Sequence, residues 1–432
     1  MTFDLLLRQG LLNGQGQPVD IGLRDGRIAA IAPALPPSVN ELALDGRLVI
    51  PGFVETHIHL DKSCLLHQTG VGHRDLGAAV QAVAAAKRAF TLDDMLERAR
   101  ATLERAITFG TNRLRTHVEV DPRVGLMGLE AMLALRKEYA WAVDLQICVF
   151  PQEGLLNDPG CEALLRQSLK QGADLIGGAP YMDSNPLGQL ERIFAIARDF
   201  DVDIDLHLDF DLDIKSCQFL EVCRLTERFG WQGRVAIGHV SKLALLQPAA
   251  LEAALRHLAE AGVAVTALPA TDLFLLGRGM GARAPRALLP LRAMAEQGVN
   301  FSISSNNILN PFTPFGDCSL PRMGNLHANV AQVDGQQEIQ LVFEAITSRA
   351  AGLLNLPDYD IKEGGPATFV IIDCIKPEDV IRCVASPLYG YKDGNRSFTR
   401  PPALLHSENW KKKSRLPVPQ PIADSSSNQS AA

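Results

Sequence analysis

Residues 91–120 read TLDDMLERARATLERAITFGTNRLRTHVEV, and two periodicities succeed one another in them. Thr91 can accept a hydrogen bond from the first helical N–H groups. Behind it an apolar stripe runs Met95, Leu96, Ala99, Leu103, Ala106, Ile107 at helical spacing and stops at Phe109-Gly110. An extended run, 113–120, follows at once. Outward from this unit the cycle recurs: strand-like segments fall at 53–59, 113–120, 143–150, 174–178, 202–209, 234–239, 263–268 and 299–304, with amphipathic stretches in most of the gaps. Eight β/α cycles in roughly 250 residues are the size of a (β/α)8 TIM barrel. A doubly wound sheet usually has fewer strands and a glycine-rich phosphate turn after the first. Here Pro51-Gly52-Phe53 precedes the first strand and no such turn is present.

The flanks differ. Over residues 1–50, short β-type runs at 3–7, 20–23 and 28–31 are punctuated by Gly10, Gly14, Gly16 and the turn dipeptide Asp25-Gly26. After Leu356 β-type runs return at 366–373. The expected architecture is therefore an α/β chain with a barrel over 51–355 and a small β domain built from both ends, 1–50 and 356–410. Residues 411–432, opening on Lys411-Lys412-Lys413, read as a solvated, disordered tail.

The chain has 432 residues, 47% hydrophobic and 21% charged, which is the balance of a globular protein with a large core. Lys and Arg number 42 against 49 Asp and Glu, a net charge of −7, so no basic footprint for nucleic acid exists at whole-chain level. No apolar run approaches the roughly 18 residues of a membrane span. A cytoplasmic protein without membrane or nucleic-acid partners is expected. The eight cysteines are scattered with no C-x-x-C and read as free thiols.

Function in a barrel sits at the C-terminal strand ends. The first strand ends in Thr56-His57-Ile58-His59-Leu60-Asp61-Lys62, the fifth in His207-Leu208-Asp209, the sixth in Gly238-His239 and the eighth in Ser304-Ser305-Asn306-Asn307. His57 and His59, two apart on a strand, share a face. Four of the ten histidines thus fall where barrel geometry converges, and three imidazoles suit one divalent ion, zinc or iron, with an open position. His117 closes the second strand; it either supports these groups or contacts substrate, and it joins the candidate substrate residues.

The segments FVETHIHLDKS, RTHVEV, DLQICVFPQEG, DIDLHLD, AIGHVS and NILNPFTPFGD together resemble the cytosine deaminase branch of the amidohydrolase superfamily, which includes triazine-ring amidohydrolases. The match runs in order from Leu48 to Leu356, and the flanks resemble the family's two-ended β-sandwich domain. The resemblance implies metal ligands at His57, His59 and His207, His239 facing the attacking water, and Gln152 binding a ring carbonyl or amide. Two positions depart from the pattern. Asn306 stands where the family has an aspartate that touches the metal and takes a proton; an asparagine can coordinate through oxygen but cannot accept that proton. Phe210 stands where cytosine deaminases carry a glutamate that shuttles a proton to the ring, so cytosine is expected to be a poor substrate and Phe210 to border a more apolar ring edge.

Asp209, His239, Asp211 and Asp61 are the candidate replacement proton acceptors. Asp209 comes first, because two residues beyond His207 it shares that residue's face if the strand stays extended. The implied activity is metal-dependent hydrolysis of a non-peptide C–N bond in a small nitrogen heterocycle, with catalytic candidates His239, Asp209 and Asn306. The alternative is a catalytically impaired relative with a ligand-binding or regulatory role. A homo-oligomer stays open.

Overall fold

Every one of the eight strand-like segments forms a strand in the computed structural model, which describes residues 2–72 and 75–403. They are β1 (Phe53–Ile58), β2 (Thr111–Glu119), β3 (Asp144–Phe150), β4 (Leu175–Gly178), β5 (Asp203–Leu208), β6 (Val235–His239), β7 (Val263–Ala267) and β8 (Phe301–Ile303). All seven successive pairings are parallel. The seam between β8 and β1 is closed just past the strand ends. There the His59 N–H donates to the Asn306 carbonyl at 3.0 Å and the Asn306 N–H to the His57 carbonyl at 2.9 Å. Hydroxyls finish the seam: Thr56 Oγ1 lies 2.7 Å from Ser302 Oγ and 2.6 Å from Ser304 Oγ. The closure itself therefore sets His57, His59 and Asn306 side by side.

The helix Leu92–Thr108 forms as its sequence dictates. Thr91 accepts from the Asp94 N–H at 3.2 Å, and Met95, Ala99, Leu103, Ala106 and Ile107 are buried against the barrel. Burying side chains of this size is worth about 1.5–3 kcal/mol each for the larger ones. Gly110 ends the segment at φ 89°, and a Cβ there would meet the Phe53 ring at 3.1 Å. The same helix also carries a buried Arg98. Its guanidinium donates to the carbonyls of Asp61 (3.0 Å) and Ser63 (2.9 Å), pinning the loop that leaves β1.

The second sheet draws on both chain ends. Leu48–Ile50 pairs antiparallel with Phe369–Ile372, which continues to Pro387–Lys392 and Asn395–Thr399; on the other side lie Leu5–Leu12, Val19–Arg24 and Arg27–Ala32. Leu5–Leu12 serves both halves, with Gln9 at φ 56° between them, and the halves enclose a core that includes Leu7, Ile21, Val49, Phe369 and Tyr391. The last two strands and the short Glu41–Ala43 were not among the expected runs. All eight cysteines are unpaired; Cys148, Cys161, Cys223 and Cys318 are buried, whereas Cys383 is exposed. Among the described residues no helix is long and apolar enough to cross a membrane. The tail expected at 411–432 lies outside the described residues.

The closing seam also holds a buried carboxylate. The Ser305 N–H lies 3.1 and 3.2 Å from the two Glu55 oxygens, and burial pushes this carboxyl up to about 7 despite that donor. A raised acid pKa means stability fully present below the ordinary value near 4.5 and lost as pH rises through about 7. Chelator-treated Glu55→Gln should therefore exceed the parent's stability at pH 8.5 by about 1–3 kcal/mol, the gain fading toward pH 4.5. Urea midpoints across this range measure it; a variant less stable at pH 8.5 would contradict it.

Candidate active site

At three of the strand ends the chain turns away from the barrel through a left-handed residue that is not glycine: Asp209 (φ 48°), His239 (φ 70°) with Val240 (φ 46°), and Asn306 (φ 60°). Such conformations cost on the order of 1–3 kcal/mol and cluster where a side chain must be aimed. Two of these residues, His239 and Asn306, border a buried imidazole group. His57 Nε2 and His59 Nε2 each lie 3.0 Å from His207 Nε2. The His59 Nδ1–H donates to the His117 carbonyl at 3.2 Å, which leaves the lone pair on Nε2, facing its neighbours. Burial first, and then the charges of neighbouring imidazoles and, for His59, Lys62, push His57 and His59 well below the usual histidine range. His207 is lowered in the same way.

These three nitrogens fit a divalent ion. Two nitrogens bound to one ion at about 2.0–2.1 Å sit roughly 3 Å apart, and the neutral imidazoles need lose no proton to bind. Asn306 Oδ1 is buried with no hydrogen-bond partner among the described residues, as an oxygen reserved for a cation would be. Carboxylate support comes from Asp205, two residues before His207. Burial alone would raise its pKa, but His117 and Arg115 hold it below the ordinary value. Arg115 Nη1 donates to it at 2.8 Å, while His117 Nε2 lies 3.4 Å and His57 Nδ1 3.9 Å away. His117 is stacked on His57 with centroids 3.8 Å apart. Its ring is thus engaged with a ligand candidate, the supporting one of the two roles expected for it.

His239 is aimed by a residue absent from the sequence reading. Its Nδ1–H donates to Asp272 Oδ1 at 2.6 Å, and Asp272 sits on the helix Pro269–Leu275 after β7. Nε2 therefore carries the lone pair and receives Asn306 Nδ2 at 3.5 Å. Burial raises the Asp272 pKa, with His239 opposing the shift. Phe210 packs on the same imidazole, ring centroids 4.0 Å apart.

Opposite lies a charged wall. Lys62 Nζ donates to Glu119 Oε1 at 2.5 Å and Gln152 Oε1 at 3.1 Å, over the rings of Phe312 (4.8 Å) and Phe150 (5.4 Å). Phe150 in turn stacks on His207 at 4.6 Å. Glu119, Asp121 and Glu153 form a second cluster of close carboxylates, but the Lys87 ammonium already pairs with all three. Lys62, in the HLDK run after His59, was within reach of sequence reasoning; Glu119 and Lys87 gave no signal.

Asp209 requires correction. It accepts from the backbone N–H groups of Gln218 (2.9 Å) and Phe219 (3.0 Å), starting the helix Phe219–Phe229, and Lys242 lies 3.6 Å away. Its oxygens are spent there and are absent from the imidazole cluster. Asp211 pairs with Lys242 at 2.9 Å, and Asp61 accepts from the Glu119 N–H at 2.9 Å. Of the four candidate acceptors, His239 is the one that meets Asn306, its Nε2 lone pair facing the amide at 3.5 Å; Asp61 keeps one buried oxygen, Oδ1, without a partner among the described residues.

Comparison with known proteins agrees with this geometry. The chain is 28% identical over 406 residues to N-isopropylammelide isopropyl amidohydrolase of Pseudomonas sp. (strain ADP), covering 91% of this chain and 96% of that one. It is 27% identical over 361 residues to the pterin deaminase of Rhizobium rhizogenes, covering 82% and 81%. The crystal structure of Klebsiella pneumoniae 5-methylcytosine deaminase liganded with 5-fluorocytosine superposes with a TM-score of 0.88 at 25% identity, covering 93% of this chain and 99% of that one. Residues 40–398 match the model of the amidohydrolase family, and with its barrel, its two-ended second sheet and its strand-end histidines the chain belongs to that family.

Proposed function

We propose that this protein is a metal-dependent hydrolase that breaks a non-peptide C–N bond, by deamination or amide hydrolysis, in a small nitrogen heterocycle. The observation that carries the reading is the facing of three Nε2 atoms, on His57, His59 and His207, beside a fourth, oriented imidazole. The activities of its relatives, on N-isopropylammelide, pterin and 5-methylcytosine, supply the ring class. His57, His59 and His207 would hold the ion, with Asn306 Oδ1 as a further donor. When bound, zinc or iron supplies Lewis acidity that activates water and polarises the carbon under attack.

The proton chemistry falls to His239. With Nδ1–H held by Asp272, Nε2 is the basic atom; it takes the proton of the attacking water and afterwards returns it to the departing nitrogen. Asp272 acts through His239 as a positioning residue, keeping its orientation and tautomer. This replaces the function of the carboxylate that Asn306 has lost. Gln152 orients the ring by hydrogen bonding. Phe210 covers His239 with apolar surface, disfavouring a substrate such as cytosine that needs a proton delivered to a ring nitrogen there.

Protein expressed with added zinc or iron should carry close to one equivalent and release ammonia or an amine from some member of a panel of aminopyrimidines, aminotriazines, hydantoin-type rings and creatinine-like amidines. His59→Ala should lose metal and turnover together. A protein that takes up no metal and is unchanged by His59→Ala would refute the assignment, and full metal content without any ring hydrolysis would favour a binding role.

Asp272→Asn should lower kcat by about 10²- to 10⁴-fold while metal content is kept. Asp209→Asn should leave kcat within a few-fold and cost about 1 kcal/mol of stability, the usual loss for a helix-start acceptor. The reverse ranking, measured on one substrate, would return the proton-accepting role to Asp209.

A further inference from the structure

Lys62 is buried, yet the proton chemistry proposed above gives it no part. An ammonium has only donors, so the Gln152 oxygen must be the atom that faces it; of the two Gln152 N–H groups one is engaged by the Tyr181 hydroxyl and one is left to offer. Glu119 Oε1 holds Nζ from behind at 2.5 Å, and the faces of Phe150 and Phe312 flank it. Two of the three N–H bonds of Lys62 are thus used, and the third has no protein acceptor among the described residues. The groups of this wall left without a protein partner are therefore N–H donors, one of them on the Lys62 ammonium.

The opposite side has lost negative charge. Asn306 is neutral where the resemblance implies an aspartate, and Phe210 is apolar where it implies a glutamate. A ring bearing an amino group or N–H toward Lys62 and Gln152 would set donor against donor and leave the third N–H of a buried ammonium without an acceptor. We propose that Lys62 and the Gln152 amide receive a negatively charged ring oxygen. The class of substrate would then be an oxo-substituted nitrogen ring that is anionic at neutral pH, and Lys62 would determine this specificity. The inference rests on the hydrolase reading for its site but not for its test.

The test is isothermal titration calorimetry on the metal-loaded full chain at pH 7.5 with two probes. One is barbiturate, a ring oxyanion at this pH, and the other is uracil, a neutral dioxo ring. The parent should bind barbiturate at least about tenfold more tightly than uracil. In Lys62→Met that ratio should collapse toward unity, chiefly through lost barbiturate binding, and Lys62→Arg should retain part of it. Glu119 keeps Lys87 as a partner in these variants, so the buried carboxylate is not stranded. If Lys62→Met does not fold, the parent's ratio and Lys62→Arg decide. A parent that prefers uracil, or a Lys62→Met protein with an unchanged ratio, would overturn the inference. Turnover of neutral amino rings together with an unchanged ratio would overturn it and leave the hydrolase reading standing. Lys62-dependent barbiturate binding in a protein that hydrolyses no ring would support the inference while sinking the hydrolase reading.

Discussion

Three buried imidazoles, with the Nε2 atoms of His57 and His59 each 3.0 Å from that of His207, can coexist only while they remain largely uncharged. A second proton in that group would put like charges in contact without solvent, a cost of several kcal/mol. Much of the surrounding structure meets this constraint. The His117 carbonyl accepts from His59 Nδ1–H, so the His59 lone pair turns inward, and the Asp205 carboxylate lies 3.9 Å from His57 Nδ1. The seam of the barrel supplies the geometry, because the backbone exchange between His57, His59 and Asn306 joins the first strand to the eighth and aligns the ligand candidates. Fold closure and site assembly are one event here.

How much of this was legible follows from how far a period extends. The eight strands and the helix Leu92–Thr108 could be read because their apolar patterns run for several residues and their caps are local. The strand-end histidines were legible for the same reason: a strand fixes where its last residue lies. Asp209 was misread because period two holds only while the chain is extended. The strand ends at Leu208, Asp209 turns to φ 48°, and the side chain swings to the N–H groups of Gln218 and Phe219. Asp272 was illegible because its helix brings it to His239 from 33 residues away with no local signal. The hairpin at Pro387–Lys392 and Asn395–Thr399 did carry a signal, the Asp393-Gly394 turn, that the reading did not use.

The two departures from the family pattern look different once the partners of His239 are known. Removing a carboxylate from the end of strand eight deprives the site of a base, but it also removes a competitor for the His239 proton. An aspartate at position 306 would lie beside His239 Nε2 and favour the charged imidazole in the resting state. With asparagine there, the 3.5 Å approach comes from an N–H donor, which the Nε2 lone pair receives. Phe210 packs its ring on that same imidazole, centroids 4.0 Å apart. Asn306, Phe210 and Asp272 therefore form one set of contacts around a single imidazole, rather than two losses and an unrelated gain.

The remaining wall rests on ions rather than on hydrophobic contact. Lys62, Glu119, Lys87, Asp121 and Glu153 join the loop after β1, the end of β2, the helix Leu76–Lys87 and the loop after β3. Buried ion pairs add little net stability, because desolvation offsets most of their attraction, yet removing one partner of such a pair is strongly destabilising. Their contribution is positional. Four separate segments can satisfy these charges together in few arrangements, and in the one adopted Glu119, held well below its usual pKa by Lys62 and Lys87 against the effect of burial, fixes the ammonium beside Gln152. Apolar packing would tolerate shifts of these loops; a shared carboxylate between two lysines does not. The network thus sets the placement of Gln152 and Lys62 as firmly as the barrel sets that of the histidines.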